Sequence, residues 1–379
     1  MLEKVEKLSR SARFDLCGAC TATGGGRQKS PEDRWIYPTV LPDGKTANVL
    51  KVLQTSACTR DCLYCENRVS RDAPRESFSP EELSRLFWSL FQAGRATGLF
   101  LSSAVSGKPD PAMSRMIATA EILRKRYGFR GYIHLKVLPG ASQAAVDRAA
   151  QLADRLSINL EAPGPERLRS IARQKDYAGE LLTRLTWIQQ AVESPEKRVR
   201  SHTTQFVVGA AREPDREILE CTARLYRESR LSRAYYSAYA APDEWTPLDS
   251  PPTPLIREHR LYQADFLLRR YGFRFEELVF EQDGNLSTSV DPKFRWALLN
   301  PEVFPVEIQE APRELLLRVP GIGPVAARRI CSWRKQGSFQ GTEDLRKAGV
   351  IVKRAAPYLL IRGRSLRGLE PQPSLPFGD

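Results

Sequence analysis

At 379 residues, with 41% hydrophobic and 27% charged positions, the chain is too long for one domain of about 100–200 residues and too apolar for a disordered one. No apolar run reaches the ~18 residues of a membrane span. The opening MLEKVEKLSRSARFDL mixes charges where a secretory leader would be apolar, so a cytoplasmic protein is expected. The net charge is +13, and +8 of it falls in residues 311–379, which points to a polyanionic partner, nucleic acid first, for that end.

In chain order, residues 1–40 read as an N-terminal extension holding Cys17 and Cys20. From 41 to 245, short runs rich in β-branched and aromatic residues alternate with longer helical patterns. Strands are expected at 47–54, 98–104, 131–137, 156–161, 203–209 and 233–239. Ser79-Pro80-Glu81-Glu82 is a helix start with a capping box, and Asp110-Pro111 repeats the signal. Six strands each followed by a helix predict a parallel α/β array, an open sheet or a partial barrel, with ligands at the C-terminal strand ends. Ser102, Ser103, Lys136 and Glu161 fall there. His134 and His202, on or beside strands, and His259, on an amphipathic helix, read as structural. The proline-rich 246–310 reads as a linker with accessory helices, 311–363 as a compact basic helical unit, and 364–379 as a disordered tail.

Five of the seven cysteines lie within the first 65 residues, a clustering that suits metal or redox chemistry better than a disulfide framework. The sharpest pattern is SACTRDCLYCENR, where Cys58, Cys62 and Cys65 share one loop after the first of the six strands. A [4Fe–4S] cluster normally takes four thiolates, so three leave one iron open to an external ligand. A closed zinc site is the bland alternative and would need Cys17 and Cys20 to complete it.

This spacing, with Tyr64 before the third cysteine, resembles the radical S-adenosylmethionine (radical SAM) superfamily. The resemblance implies a (β/α)6 partial TIM barrel, a [4Fe–4S] cluster on Cys58, Cys62 and Cys65, and S-adenosylmethionine on the open iron. One electron from the reduced cluster then cleaves the sulfonium to methionine and a 5′-deoxyadenosyl radical. It further implies Tyr64 at the adenine end, Ser102 and Ser103 at the methionine amino group, Asn159 or Glu161 at ribose or carboxylate, and Val208 and Gly209 against adenine.

The second pattern is LLLRVPGIGPVAARRI, which resembles a helix-hairpin-helix motif. Gly321 and Gly323 permit a sharp turn, Ile322 sits between them, and Val325, Arg328 and Arg329 follow on a helix whose N-terminus can present N–H groups to a phosphate. Gly349-Val350-Ile351 resembles a degenerate second hairpin. Such pairs imply a small all-α domain that grips the DNA backbone with little sequence readout. Across residues 47–362, segments such as FLSSAVS, GYIHLKVLPGA and YYSAY resemble the DNA modification/repair radical SAM family, whose members are linked to a uracil-DNA-glycosylase-like partner. Residues 372–377, QPSLPF, are similar to peptides that bind the bacterial sliding clamp. The resulting expectation is a radical enzyme of DNA modification or repair, served by an electron donor. RNA modification and a non-catalytic iron–sulfur DNA-binding protein are the alternatives.

Overall fold

The computed structural model describes residues 2–12, 15, 35–40, 45–241, 246 and 248–366. Cys17, Cys20 and the 372–377 peptide lie outside the described residues, together with the expectations attached to them. Two units divide the chain: Met1–Glu213 with Arg224–Thr253, and Pro214–Ala223 with Pro254–Asp379.

The chain begins with α1 (Leu2–Ser11), β1 (Ile36–Val40), β2 (Thr46–Leu53), α2 (Pro80–Gln92), β3 (Gly98–Ser102), α3 (Pro109–Glu121) and β4 (Tyr132–Lys136). It continues with α4 (Gln143–Leu152), β5 (Arg155–Ser157), α5 (Pro165–Ile171), α6 (Thr183–Glu193), β6 (Ser201–Val208), α7 (Asp215–Glu228) and β7 (Arg233–Ala238). One sheet takes all seven strands in sequence order; β1 is antiparallel to β2, and every other pairing is parallel. All six expected strands form. β5 is shorter than expected, although the chain beyond it returns to the sheet through a bridge from Glu161 to Phe206.

β1 is an addition. Its Pro38 lacks an N–H, which suits the edge of a sheet, where β1 lies, and hides the strand from a pattern search. On the parallel strands, side chains alternate between the two faces. Leu99, Leu101, Ile133, Leu135 and Leu156 are fully buried, each contributing about 1.5–3 kcal/mol. The α2–α3, α3–α4 and α4–α6 pairs pack together. The alternate residues are more polar: His134 Nε2 meets Ser157 Oγ at 2.9 Å, and the His134 ring stands edge-on to Phe100. Burial pushes His134 well below the usual histidine range and His202 down to about 4, which keeps both neutral.

The Ser79 capping box forms as expected, with Glu82 N donating to Ser79 Oγ at 3.1 Å and Ser79 N to the Glu82 carboxylate at 2.8 Å. α3 starts one residue before its expected signal. Pro109 takes the first helical position, and the Asp110 carboxylate accepts from Ser142 N at 2.7 Å instead.

The second unit adds α8 (Leu255–Arg270), α9 (Pro292–Leu299), β8 (Val306–Glu307), α10 (Arg313–Leu316) and α11 (Pro324–Trp333). After these come α12 (Thr342–Ala348), α13 (Val352–Ala355), β9 (Leu359–Ile361) and β10 (Arg364–Ser365). Strands β10, β9 and β8 form a small sheet, so the C-terminal region is not all-α as the hairpin resemblance implied. The apolar core runs from Val306 through Ile330 to Ile361, and Tyr271 and Phe304 pack against it, so residues on both sides of position 311 share one core.

The turn between α10 and α11 is shaped by contact with the turn between α12 and α13. Gly321 has φ +85°, and a Cβ there would lie 2.6 Å from the Ile351 carbonyl oxygen. Ile351 N donates to the Gly321 carbonyl at 3.0 Å. The glycine is thus demanded by packing of one turn on the other.

On the same turn, the Ile322 carbonyl accepts from Lys293 Nζ at 2.6 Å, with the Tyr271 ring 4.7 Å from that nitrogen. Burial brings Lys293 down to about 7; Asp291 opposes the shift, and Arg354 and Arg318 add to it. An unfolded lysine titrates near 10.4. Between about 7 and about 10 the unfolded chain holds this proton and the folded chain does not, so stability of this unit rises with pH across that window. Amide exchange at residues 313–356 is expected to slow as pH rises, after correction for intrinsic exchange, with a slope up to about 1.4 kcal/mol per pH unit. Lys293→Met should flatten it; a slope unchanged by the substitution would assign the effect to another group.

Candidate active site at the strand ends

The loop that leaves β2 carries the three cysteines and is held by its own hydrogen bonds. Arg75 donates to the carbonyls of Ser56 (3.1 Å), Asn67 (3.0 Å), Arg68 (2.8 Å) and Arg71 (2.9 Å), closing the loop from within. Thr59 N donates to the Val105 carbonyl at 2.8 Å, which ties the loop to the segment after β3. Arg60 N and Asn67 N point at the Cys58 and Cys65 sulfurs, each at 3.4 Å. N–H donors aimed at sulfur tune the potential of a centre bound there.

Cys58, Cys62, Tyr64, Cys65, Ser102, Ser103, Asn159 and Glu161 line one cavity at the C-terminal ends of the strands. Val208 and Gly209 do not; Gln205 and Val207 line it from β6 instead. For Val208 the reason is strand parity. Positions 205 and 207 share a face, and Val208 points the other way and is fully buried. Gly209, at φ +85°, turns the chain out of β6 and donates its N–H to Glu213 at 2.6 Å.

Glu161 is strained, with φ +66° at a non-glycine residue, a conformation that costs about 1–3 kcal/mol and clusters at functional sites. It is buried, and Lys175 Nζ sits 3.2 Å from its carboxylate and 2.8 Å from the Tyr64 hydroxyl. Burial pushes the Tyr64 phenol well up, so it stays protonated. Burial disfavours the Lys175 ammonium, but the Glu161 carboxylate beside it holds the charge, so Lys175 stays protonated. Lys136 and Asp15 also line the cavity and pair at 2.5 Å, and Lys51 Nζ donates to the Asp15 carbonyl at 2.9 Å. Sequence reasoning missed Lys175, Asp15 and Arg75: none belongs to a motif, and each reaches its place only through the fold.

The donor set fits an iron–sulfur centre. Burial raises the Cys62 thiol and pushes Cys65 up to about 12, so both resist ionisation unless a cationic centre compensates. Among the described residues no three His, Cys, Asp or Glu side chains close on a point that would hold a single metal ion. Cys58, Cys62 and Cys65 all line the one cavity, and together they could supply one thiolate to each of three irons of a cluster.

In the second unit Ile322 is buried and its carbonyl is taken by Lys293, whereas Val325, Arg328 and Arg329 are exposed on α11. Gly323 precedes that helix and Pro324 occupies its first turn. No helix among the described residues is long and apolar enough to cross a membrane.

Residues 52–223 match the family model described as the Radical SAM superfamily. Among solved structures, the chain is similar to HydG, a maturase of the [FeFe]-hydrogenase, at 12% identity and TM-score 0.46 over 57% of this chain and 48% of that one. It is also similar to methylornithine synthase (PylB), at 15% identity and TM-score 0.45 over 57% of this chain and 60% of that one. A third is a radical SAM methyltransferase from Sphaerobacter thermophilus, at 17% identity and TM-score 0.42 over 61% and 66%. The chain thus spans less than two thirds of the length of each of these three. No curated protein matches it.

Proposed function

From the radical SAM domain at residues 52–223, we propose that the chain is a [4Fe–4S]- and S-adenosylmethionine-dependent radical enzyme that modifies or repairs DNA. The observation that carries the radical chemistry is the convergence of three thiols from one loop with the polar strand-end residues Ser102, Asn159 and Glu161 on a single cavity. In this reading Cys58, Cys62 and Cys65 hold the cluster, and Ser102 and Ser103 receive the methionine amino group. Asn159 and Glu161 reach the ribose or carboxylate, and Tyr64 bounds the adenine. When bound, the cluster and cofactor supply a 5′-deoxyadenosyl radical for hydrogen abstraction. The chain's own part is to orient the cofactor and to exclude water, for which the buried Lys175–Glu161 pair and the half-buried Tyr64 phenol are suited.

The DNA part rests on the LLLRVPGIGPVAARRI helix-hairpin-helix resemblance and on Arg328, Arg329 and Val325 standing exposed beside the turn it encodes. Phosphates would be held there by backbone N–H groups and arginines, fixing position without reading bases. Attack on a base in duplex DNA then needs flipping, which costs least at a lesion. An electron donor, a uracil-DNA-glycosylase-like protein and a sliding clamp engaged through residues 372–377 complete the proposed partners.

The test is anaerobic reconstitution with iron and sulfide, reduction, addition of S-adenosylmethionine and quantification of 5′-deoxyadenosine. The arms are no nucleic acid, single-stranded DNA, duplex DNA and RNA. Formation raised by DNA is the expected result. Stimulation by RNA alone would move the substrate to RNA, and no product from a fully loaded cluster would leave a non-catalytic iron–sulfur protein.

A further inference from the structure

The segment 171–180, between α5 and α6, clasps the cysteine loop at several points. Leu63 N donates to the Ile171 carbonyl at 2.8 Å, and Arg60 reaches the Gln174 carbonyl at 2.6 Å and the Glu180 carboxylate at 2.7 Å. These hydrogen bonds and one ion pair hold the loop without Lys175. Lys175 does something different: it carries a charge inward. Its side chain is 8% exposed, its ammonium donates to the Tyr64 hydroxyl, and its ion-pair partner, Glu161, is also buried. Tyr64 lies between Cys62 and Cys65 in the chain, so this cation stands against the part of the loop that carries two of the three thiols.

We propose that Lys175 is a positioning residue that sets the electrostatic potential at the cysteine loop, stabilising the reduced form of the cluster, while Glu161 opposes it. The inference rests on the cofactor part of the preceding reading and is independent of the DNA part. Its physics is the interaction of a fixed charge with a centre that becomes one unit more negative when a low-potential donor delivers one electron. In a water-poor site the interaction is several times stronger than in bulk water. A structural clasp alone would require only hydrogen bonds at this position. An arginine there keeps the charge, a glutamine keeps a donor without it, and a methionine keeps neither.

The experiment is a redox titration followed by electron paramagnetic resonance on full-length protein, with iron and sulfide content measured on every sample. Lys175→Gln and Lys175→Met are expected to load the cluster and to lower its reduced-to-oxidised ratio about tenfold at a fixed ambient potential, a shift of about 59 mV to more negative values for one electron. Lys175→Arg should stay near wild type, and Glu161→Gln should shift the midpoint the other way. A wild-type midpoint in loaded Lys175→Gln would overturn the proposal and leave Lys175 as a clasp. If Lys175→Met loses iron while Lys175→Gln loads with the shifted midpoint, the proposal stands, because the charge has been separated from the fold. A wild-type protein that takes up no iron–sulfur cluster would fail the cofactor reading itself and remove this inference with it.

Discussion

Replacing Cys65 by serine is expected to empty the cluster site and to reduce 5′-deoxyadenosine formation by more than the ~10–100-fold that a change in a surrounding shell costs a metal site. The same holds for Cys58 and Cys62. Three thiolates are the whole protein ligand set in this reading, and losing one leaves two irons without a protein ligand. The hydroxyl that replaces the sulfur is a harder donor and a poor substitute in an iron–sulfur site. Cys221, buried on α7, and Cys331, half-buried on α11, are the internal controls. Serine at either should leave iron and sulfide content at the wild-type value, whatever it does to stability. Serine at Cys17 and Cys20 separates the remaining alternative, since a closed four-thiol zinc site would need that pair. Zinc, iron and sulfide analysis with and without the pair decides it: metal content that falls with Cys17→Ser as steeply as with Cys65→Ser would sink the three-cysteine assignment.

How much of this site could be read without coordinates depended on how the residues reach it. The three cysteines share eight consecutive positions, so chain connectivity alone brings them to one loop. Ser102 and Glu161 were legible because a parallel α/β array places its ligands at strand ends, and both sit where a strand pattern stops. Val208 satisfied the same criterion but does not line the cavity, because β6 is long enough for parity to matter and a run of apolar residues does not reveal which face looks inward; Gly209 shares the parity of Gln205 and Val207 but turns the chain out of the strand. Lys175 had no such signal. It lies fourteen residues beyond Glu161, in a segment whose polar residues resemble any surface loop, and it becomes a buried cation only because α5 folds back over the cysteine loop. Arg75 is equally invisible, since a side chain that donates to four backbone carbonyls leaves no pattern in sequence. In the C-terminal region the helices were legible from their glycine punctuation. The strands were not: β8 and β10 are two residues long, too short for any alternation to show.

Charge reversal on α11, Arg328→Glu with Arg329→Glu, is expected to weaken binding to DNA of every sequence by a similar factor. It should also make the dependence of log K on log salt less steep. If three or four phosphates are neutralised, the wild-type slope is about −3, and each phosphate that is no longer neutralised makes it shallower by about 0.9. Both arginines are exposed, so the substitution leaves the apolar core of the unit untouched. Truncation at residue 311 is the weaker test, because Val306 and Ile308 belong to the core that residues 311–361 complete, and Tyr271 and Phe304 pack on it. Removing that part would strip a folded unit rather than a surface. Gly321→Ala suffers from the same defect, since its added Cβ meets the Ile351 carbonyl whether or not a phosphate is bound. Val325 gives an independent reading: it is 52% exposed beside the turn, and an aspartate there puts negative charge at the N-terminus of α11 without removing an arginine. The sign of its effect is informative. A carboxylate at a helix N-terminus stabilises the helix while competing with a phosphate for the same N–H groups, so Val325→Asp should bind DNA more weakly and yet unfold no more easily. A slope unchanged in the double arginine variant, together with unaltered affinity in Val325→Asp, would place the DNA contact on another surface and leave this pair of turns as packing.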